Sequence, residues 1–208
     1  MILEAKHHFF IYPFFKWYSG YIIKRNFYST RIIAGSDLPD GPVLLLSNHF
    51  SWWDGFFAMH ANRSLLNRKF YFMMLEEQLR KFRFFNYAGG FSVARKKRSI
   101  IESLQYASGL LDDYNNLLLV FPQGRIQSMH RHHFEFEKGI ERILQGKEDT
   151  VRVVFLAILT DWFSHKKPSV MMYLEKYTGN DFRIASINHH YNAFFSGAIK
   201  QQLNIRDL

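Results

Sequence analysis

Residues 43–56 read VLLLSNHFSWWDGF, an unbroken apolar run that gives way to polar and aromatic residues within a few positions. Such a run suits a strand buried on both faces, the kind found in the middle of a parallel sheet. Ser51 is a natural helix N-cap. Asp54, three residues on, completes a Ser-x-x-Asp helix start. The stretch therefore predicts a strand, a bend and the first turn of a helix.

Outward from this point, short apolar runs alternate with longer amphipathic ones, as in an α/β sheet covered by helices. Strands are predicted at Val43–Asn48, Phe70–Met74, Phe91–Ala94, Leu117–Phe121, Arg152–Ile158 and Ser169–Glu175. Helices are predicted over 52–66, 76–86, 98–112, 134–145 and 189–203. Pro42 and Pro122 fall where a strand begins and ends, so the missing amide donor does little harm. The expected fold is α/β: a mixed, largely parallel central sheet covered by helices, preceded by an N-terminal membrane-interfacial helical segment. That divides the chain into residues 1–35 and a catalytic domain at 36–208.

The N-terminal expectation rests on Phe9–Ile23, FFIYPFFKWYSGYII, between Lys6 and the pair Lys24-Arg25. The stretch is shorter than the roughly 20 apolar residues a bilayer crossing needs and is interrupted by Pro13, Lys16 and Gly20. No small-residue cleavage site follows it, which disfavours a signal peptide. It reads as a helix bent at Pro13 and lying in the membrane interface, cationic ends on lipid phosphates. The competing reading is a helix that packs its aromatics on its own domain. In EEQLRKFRFF, Glu76–Phe85, Leu79, Phe82 and Phe85 share one face, with basic residues around it and Phe84 off that face.

Composition narrows the chemistry. The 208 residues contain no cysteine, which excludes a disulfide scaffold, a thiolate metal site and a cysteine nucleophile. Lys and Arg number 27 against 18 Asp and Glu, a formal charge of +9, so anionic partners are expected. With 22 Phe and 11 Tyr the aromatic content reaches 18 %, which suits a membrane interface better than nucleic acid. The run Arg95–Arg98 carries no nucleic-acid fingerprint. His130, His132 and His133 lack the carboxylates and spacing of a metalloprotease helix and read as a basic loop.

His49 and Asp54 are the chemical candidates. On one continuous helix a separation of five would turn them about 140° apart. They meet only if His49 precedes the helix and Asp54 opens it. A histidine oriented by a carboxylate is a general base; a capping box beside an inert histidine is the alternative.

Three further segments bear on this choice: GGFSVAR (Gly89–Arg95), FPQGRIQS (Phe121–Ser128) and VVFLAI (Val153–Ile158). With NHFSWWD they resemble, over residues 41–160, the four sequence blocks of the glycerolipid acyltransferase family that includes the lysophosphatidate acyltransferases. Asn48, His49, Ser51 and Asp54 fit NHxSxxD at every defined position. Gly89 and Arg95 keep the second block's spacing, although Ala94 stands where aspartate is common. In the third block, usually FPEGTRS, Phe121, Pro122 and Gly124 match. Gln123 replaces glutamate, and Arg125-Ile126 replaces Thr-Arg. Phe136–Gly139 is similar to the Phe-Lys-x-Gly stretch that often follows.

The resemblance implies transfer of a fatty acyl group from acyl-CoA or acyl carrier protein to a hydroxyl of a membrane lipid, by default a lysophospholipid. No cofactor is implied; the carrier is itself a substrate. His49 would be the base and Asp54 its orienting partner. Asn48, Ser51, Gly89, Arg95, Phe121, Pro122, Gln123, Gly124 and Arg125 would surround the substrates, with the turn amides around Gly124 as donors to the oxyanion and Arg95 on an anionic group. Gln123 keeps a carbonyl but loses a charge. That change leaves open an acceptor without glycerol phosphate, such as an amino-acid lipid or a glycosylated hydrophobic alcohol, or a non-catalytic membrane-binding protein of the same fold. The expected location is the cytoplasmic face of the inner membrane.

Overall fold

Leu44, Leu45 and Leu46 are wholly buried, as a strand covered on both faces requires. The computed structural model describes residues 2–35, 40–93 and 97–205. Its elements are α1 (Ile11–Asn26), β1 (Ser29–Ala34), β2 (Val43–Ser47), α2 (Asp54–Ala61) and a π-helical turn (Asn62–Leu66). Then come β3 (Lys69–Leu75), α3 (Glu76–Lys81), α4 (Phe84–Tyr87), β4 (Gly90–Val93), α5 (Lys97–Leu110) and β5 (Asn116–Val120). The chain closes with α6 (Gly139–Leu144), β6 (Arg152–Asp161), β7 (Ser169–Lys176) and α7 (Ile184–Gln202).

The seven strands form one sheet in the order β1-β7-β6-β2-β5-β3-β4. Five neighbouring strands, β6 to β4, run parallel; β7 is antiparallel to β6, and β1 is parallel to β7. The architecture is the mixed, largely parallel sheet expected from the sequence. Side chains alternate across it, as the strand period demands. Leu44 and Leu46 face a core shared with α5, α6 and α7. Val43 and Leu45 face a second core shared with α1 and α2.

The predicted strands are all present, shifted by a residue or three at their ends, except that Ala94 lies outside the described residues. One strand was not foreseen. Ser29–Ala34 pairs with β7 along Ser29↔Ser169 to Ala34↔Leu174, so the interval 1–35 contributes to the sheet as well as carrying a helix. As an edge strand it is only half covered, which leaves it without the apolar run that marks the central strands. Helix 52–66 opens at Asp54 and passes into the π-turn. Helix 76–86 breaks at Phe82, which is 45 % exposed rather than in the core with Leu79.

Two other helices differ from expectation. Of 134–145 only Gly139–Leu144 is helical, because the Asn192 carboxamide takes both main-chain groups of Phe134. Helix α7 starts five residues early, where Glu141 of α6 accepts the Ile184 amide at 2.6 Å. Helix α1 runs through Pro13 unbroken, since a proline in the first turn has no intrahelical donor to lose. No helix among the described residues is long and apolar enough to cross a membrane.

The segment before α1 lies along the outer edge of β4 and the end of α4: the amide of Ser92 in β4 donates to Leu3, and the amides of Lys6 and His8 donate to Asn86 and Tyr87 of α4. Covering an open edge in this way removes a site for unwanted strand pairing. His7 anchors the strap, its Nε2–H donating to the Phe70 carbonyl at 3.0 Å and its ring edge-on to Tyr12 and Tyr71. Gly89 makes room for it. With φ at +103°, any Cβ there would stand 2.2 Å from the Phe70 oxygen and 2.8 Å from His7 Nε2.

Burial holds the His7 imidazole down at about 4, against the opposing pull of the Phe70 hydrogen bond and with a small push from Lys69. The unfolded chain takes up this proton near 6.5 and the folded chain only near 4. The stabilisation is therefore full above 6.5 and lost as the pH falls toward 4. Hydrogen exchange at the Lys6 and His8 amides, corrected for intrinsic pH dependence, is expected to quicken across that window. In a His7→Gln chain it should not.

Candidate active site

The crevice that positions a site lies where two adjacent parallel strands send their connections to opposite faces. Strands β2 and β5 are such a pair: β2 leads to α2 on one face, and β5 leads to α6 on the other. His49 follows β2 and Phe121 follows β5, so both emerge at this switch point.

The backbone from His49 to Trp53 is in neither strand nor helix, and four of its five amides are satisfied by side chains. His49 N–H donates to Gln123 Oε1 at 2.7 Å. Phe50 and Ser51 N–H donate to Asp54 Oδ2 at 2.7 and 2.8 Å. Trp53 N–H donates to Ser51 Oγ at 3.1 Å, and Ser51 Oγ–H donates to Asp54 Oδ1 at 2.7 Å. The expected cap is thus half present: the carboxylate reaches back to the Ser51 amide, while the hydroxyl caps Trp53 rather than Asp54.

The same Asp54 Oδ2 accepts from His49 Nδ1 at 2.8 Å, with the carboxylate fully buried and the imidazole 22 % exposed. A carboxylate can only accept, so Nδ1 carries the proton and Nε2 is the basic nitrogen. The Phe121 ring stacks on the imidazole at 4.0 Å and 12°. Phe121, Pro122 and Gly124 are also part of the wall of an open, largely apolar cavity of about 1300 Å³ outside the ends of β3, β4 and β5. Across β2, Phe50 borders a smaller cavity of about 350 Å³ at the end of β6, together with Asp161, His130 and His132.

A family model described as Acyltransferase matches residues 24–159 of the chain. The chain belongs to that family. A comparison with curated proteins found none that matches it. The acyltransferase thus carries its His-Asp pair at the sheet's switch point, and the Phe121 ring stacked on His49 also lines the larger cavity.

The other acyltransferase positions named from the sequence divide clearly. Asn48 is structural: its carboxamide donates to the Ile158 carbonyl at 2.9 Å and accepts the Ile158 amide at 2.8 Å, extending the β2–β6 ladder beyond Ser47. Gln123 is buried and turned toward His49 rather than toward open space. Gly124 takes a left-handed φ of +66°, and its amide donates to the Phe121 carbonyl at 3.1 Å; that amide, expected to face an oxyanion, is committed to its own turn. Arg125 is exposed on the turn. Gly89 sits in the turn just before β4, where it serves backbone packing. Arg95 lies outside the described residues.

Two residues escaped the sequence. Gln127 donates its main-chain N–H to the His49 carbonyl at 2.9 Å and accepts from Gln123 Nε2 at 2.9 Å. Its only signal was an amide four residues after another amide in a turn. Tyr191 of α7 is fully buried against the Asn48 main chain, its hydroxyl donating to the Leu156 carbonyl at 3.0 Å; burial pushes the phenol well above its usual range. Nothing local to position 191 announces this.

Since one carboxylate serves four donors, Asp54→Asn must leave some unsatisfied and turn an amide against others. It is expected to cost about 1–3 kcal/mol in chemical denaturation, against about 1 kcal/mol for Ser51→Ala.

Proposed function

We propose that this acyltransferase moves a fatty acyl group from acyl-CoA or acyl carrier protein to a hydroxyl of a membrane lipid, with a lysophospholipid as the default acceptor. The observation that carries this reading is the buried Asp54 carboxylate on His49 Nδ1, which leaves Nε2 as the basic nitrogen of a ring stacked on Phe121, itself part of the wall of an apolar cavity. His49 Nε2 takes the proton of the acceptor hydroxyl as its oxygen attacks the thioester carbonyl carbon. The carbonyl electron pair moves onto oxygen. Collapse of the tetrahedral intermediate re-forms the carbonyl and breaks the carbon–sulfur bond, and the imidazolium returns its proton to the leaving thiolate. General-base assistance of this kind is worth ~10²- to 10⁴-fold. Asp54 holds the tautomer and offsets the charge on the ring.

Helix α1 supports a bilayer as the acyltransferase's partner on its cytoplasmic face. Phe15, Ser19, Ile22 and Ile23 are buried against the domain. Phe10, Phe14, Trp17 and Tyr21 form a second stripe at helical spacing and stay 46–70 % exposed. Phe14 meets Phe84 edge-on, which extends the aromatic surface to α4 and to exposed Phe82. Lys16, Lys24 and Arg25 flank the stripe, as an anionic lipid surface requires. The two readings of this helix are thus compatible, one for each face.

Incubating the protein with labelled acyl-CoA or acyl carrier protein and lysolipids, with and without phosphate, is expected to yield a new diacyl product. His49→Ala should abolish it while vesicle binding persists. Equal background from both proteins would remove the enzymatic reading. Removing residues 1–26 would strip Phe15, Ile22 and Ile23 from the core, so the membrane test uses Phe14→Ser with Trp17→Ser. Weaker sedimentation with anionic vesicles, at unchanged thermal midpoint, is the expected result.

A further inference from the structure

We propose that Gln127 donates a hydrogen bond to the thioester carbonyl oxygen as it becomes the tetrahedral oxyanion, and that Gln123 is the positioning residue that aims it; this rests on the acyl-transfer reading above. The orientation follows from one main-chain proton. The His49 N–H can only donate, so Gln123 presents Oε1 to it, at 2.7 Å, and sends Nε2 the other way. Gln123 Nε2 can only donate, so Gln127 presents Oε1, at 2.9 Å. The Gln127 NH₂ group is thereby turned away from Gln123, and among the described residues no acceptor lies on it. The Gln127 amide N–H donates to the His49 carbonyl at 2.9 Å, which closes a ring of three hydrogen bonds around the main chain of the general base.

Four of the five amides in the His49–Trp53 bend are engaged. The amides of His49, Phe50, Ser51 and Trp53 go to Gln123, Asp54 and Ser51, and that of Gly124 goes to Phe121. Asp54 only accepts. Gln123 is 4 % exposed, whereas Gln127 is half-buried, so the free donors belong to the accessible member of the pair. A neutral donor fixed before reaction is what a developing oxyanion requires. Glutamate, the residue common at position 123 in the family's third block, would still accept the His49 amide but would draw the Gln127 NH₂ toward itself.

The test is Gln127→Glu, assayed with acyl donor and lysolipid across pH. The variant keeps an oxygen for Gln123 Nε2 and the main-chain bond to His49, but has no side-chain proton to give. The maximal kcat on its pH profile is expected to fall ~10²- to 10³-fold, with the acyl-donor KM and thermal midpoint near wild type. Reading the maximum separates donor loss from any displacement of the His49 titration by the new charge. Gln123→Glu is expected to lower kcat in the same direction. Wild-type kcat at the maximum in Gln127→Glu, with His49→Ala inactive, would overturn the assignment of Gln127 alone. A loss confined to the thermal midpoint would make Gln127 structural and overturn it too. No transfer above background by the wild type would overturn the acyl-transfer reading, and this proposal with it.

Discussion

The Asp54 carboxylate organises the site, and its burial is what makes it effective. A fully buried carboxylate is costly unless its oxygens are filled, and four donors from a five-residue bend fill them. Those donors gain a partner that water would otherwise provide. The bend thus needs neither strand nor helix bonds to be rigid, and the imidazole is one of the groups it fixes. Stabilising the loop and orienting the imidazole are the same interaction.

Topology determines where that interaction takes place. The central strands β2 and β5 are apolar on both faces, and the helices that follow them depart to opposite sides. Their ends therefore part company at one point and leave a crevice there. Phe121 enters it from β5 and stacks on His49, and the turn that Pro122 and Gly124 begin carries Gln123 and Gln127 back to the His49 main chain. The third block thus acts through the backbone of the first.

Helix α1 joins this core to the proposed membrane surface. Its inner face contributes Phe15, Ile22 and Ile23 to the same core that packs α2, and Phe15 meets Phe56 two residues after Asp54. Arg63 crosses over Gly20 to donate to the Lys16 carbonyl, tying the π-turn after α2 to α1. The outer aromatic stripe is held at a fixed attitude to the site by these contacts.

The sequence by itself determined the strands with continuous apolar runs, the strand-to-helix bend after β2 and the pairing of His49 with Asp54, because each follows from a local period or a separation of a few residues. Edge strand β1 was invisible, since a half-exposed strand carries no apolar run. The early start of α7 and the shortened α6 depend on Glu141 and Asn192, partners 43 and 58 residues distant in the chain. Only the tertiary structure decided that Gly89 serves packing, that the Gly124 amide is spent within its turn, that Gln123 points inward, and that Gln127 and Tyr191 belong to the site. Hydrogen bonds across the switch point join residues by proximity in space, and no one-dimensional spacing records that.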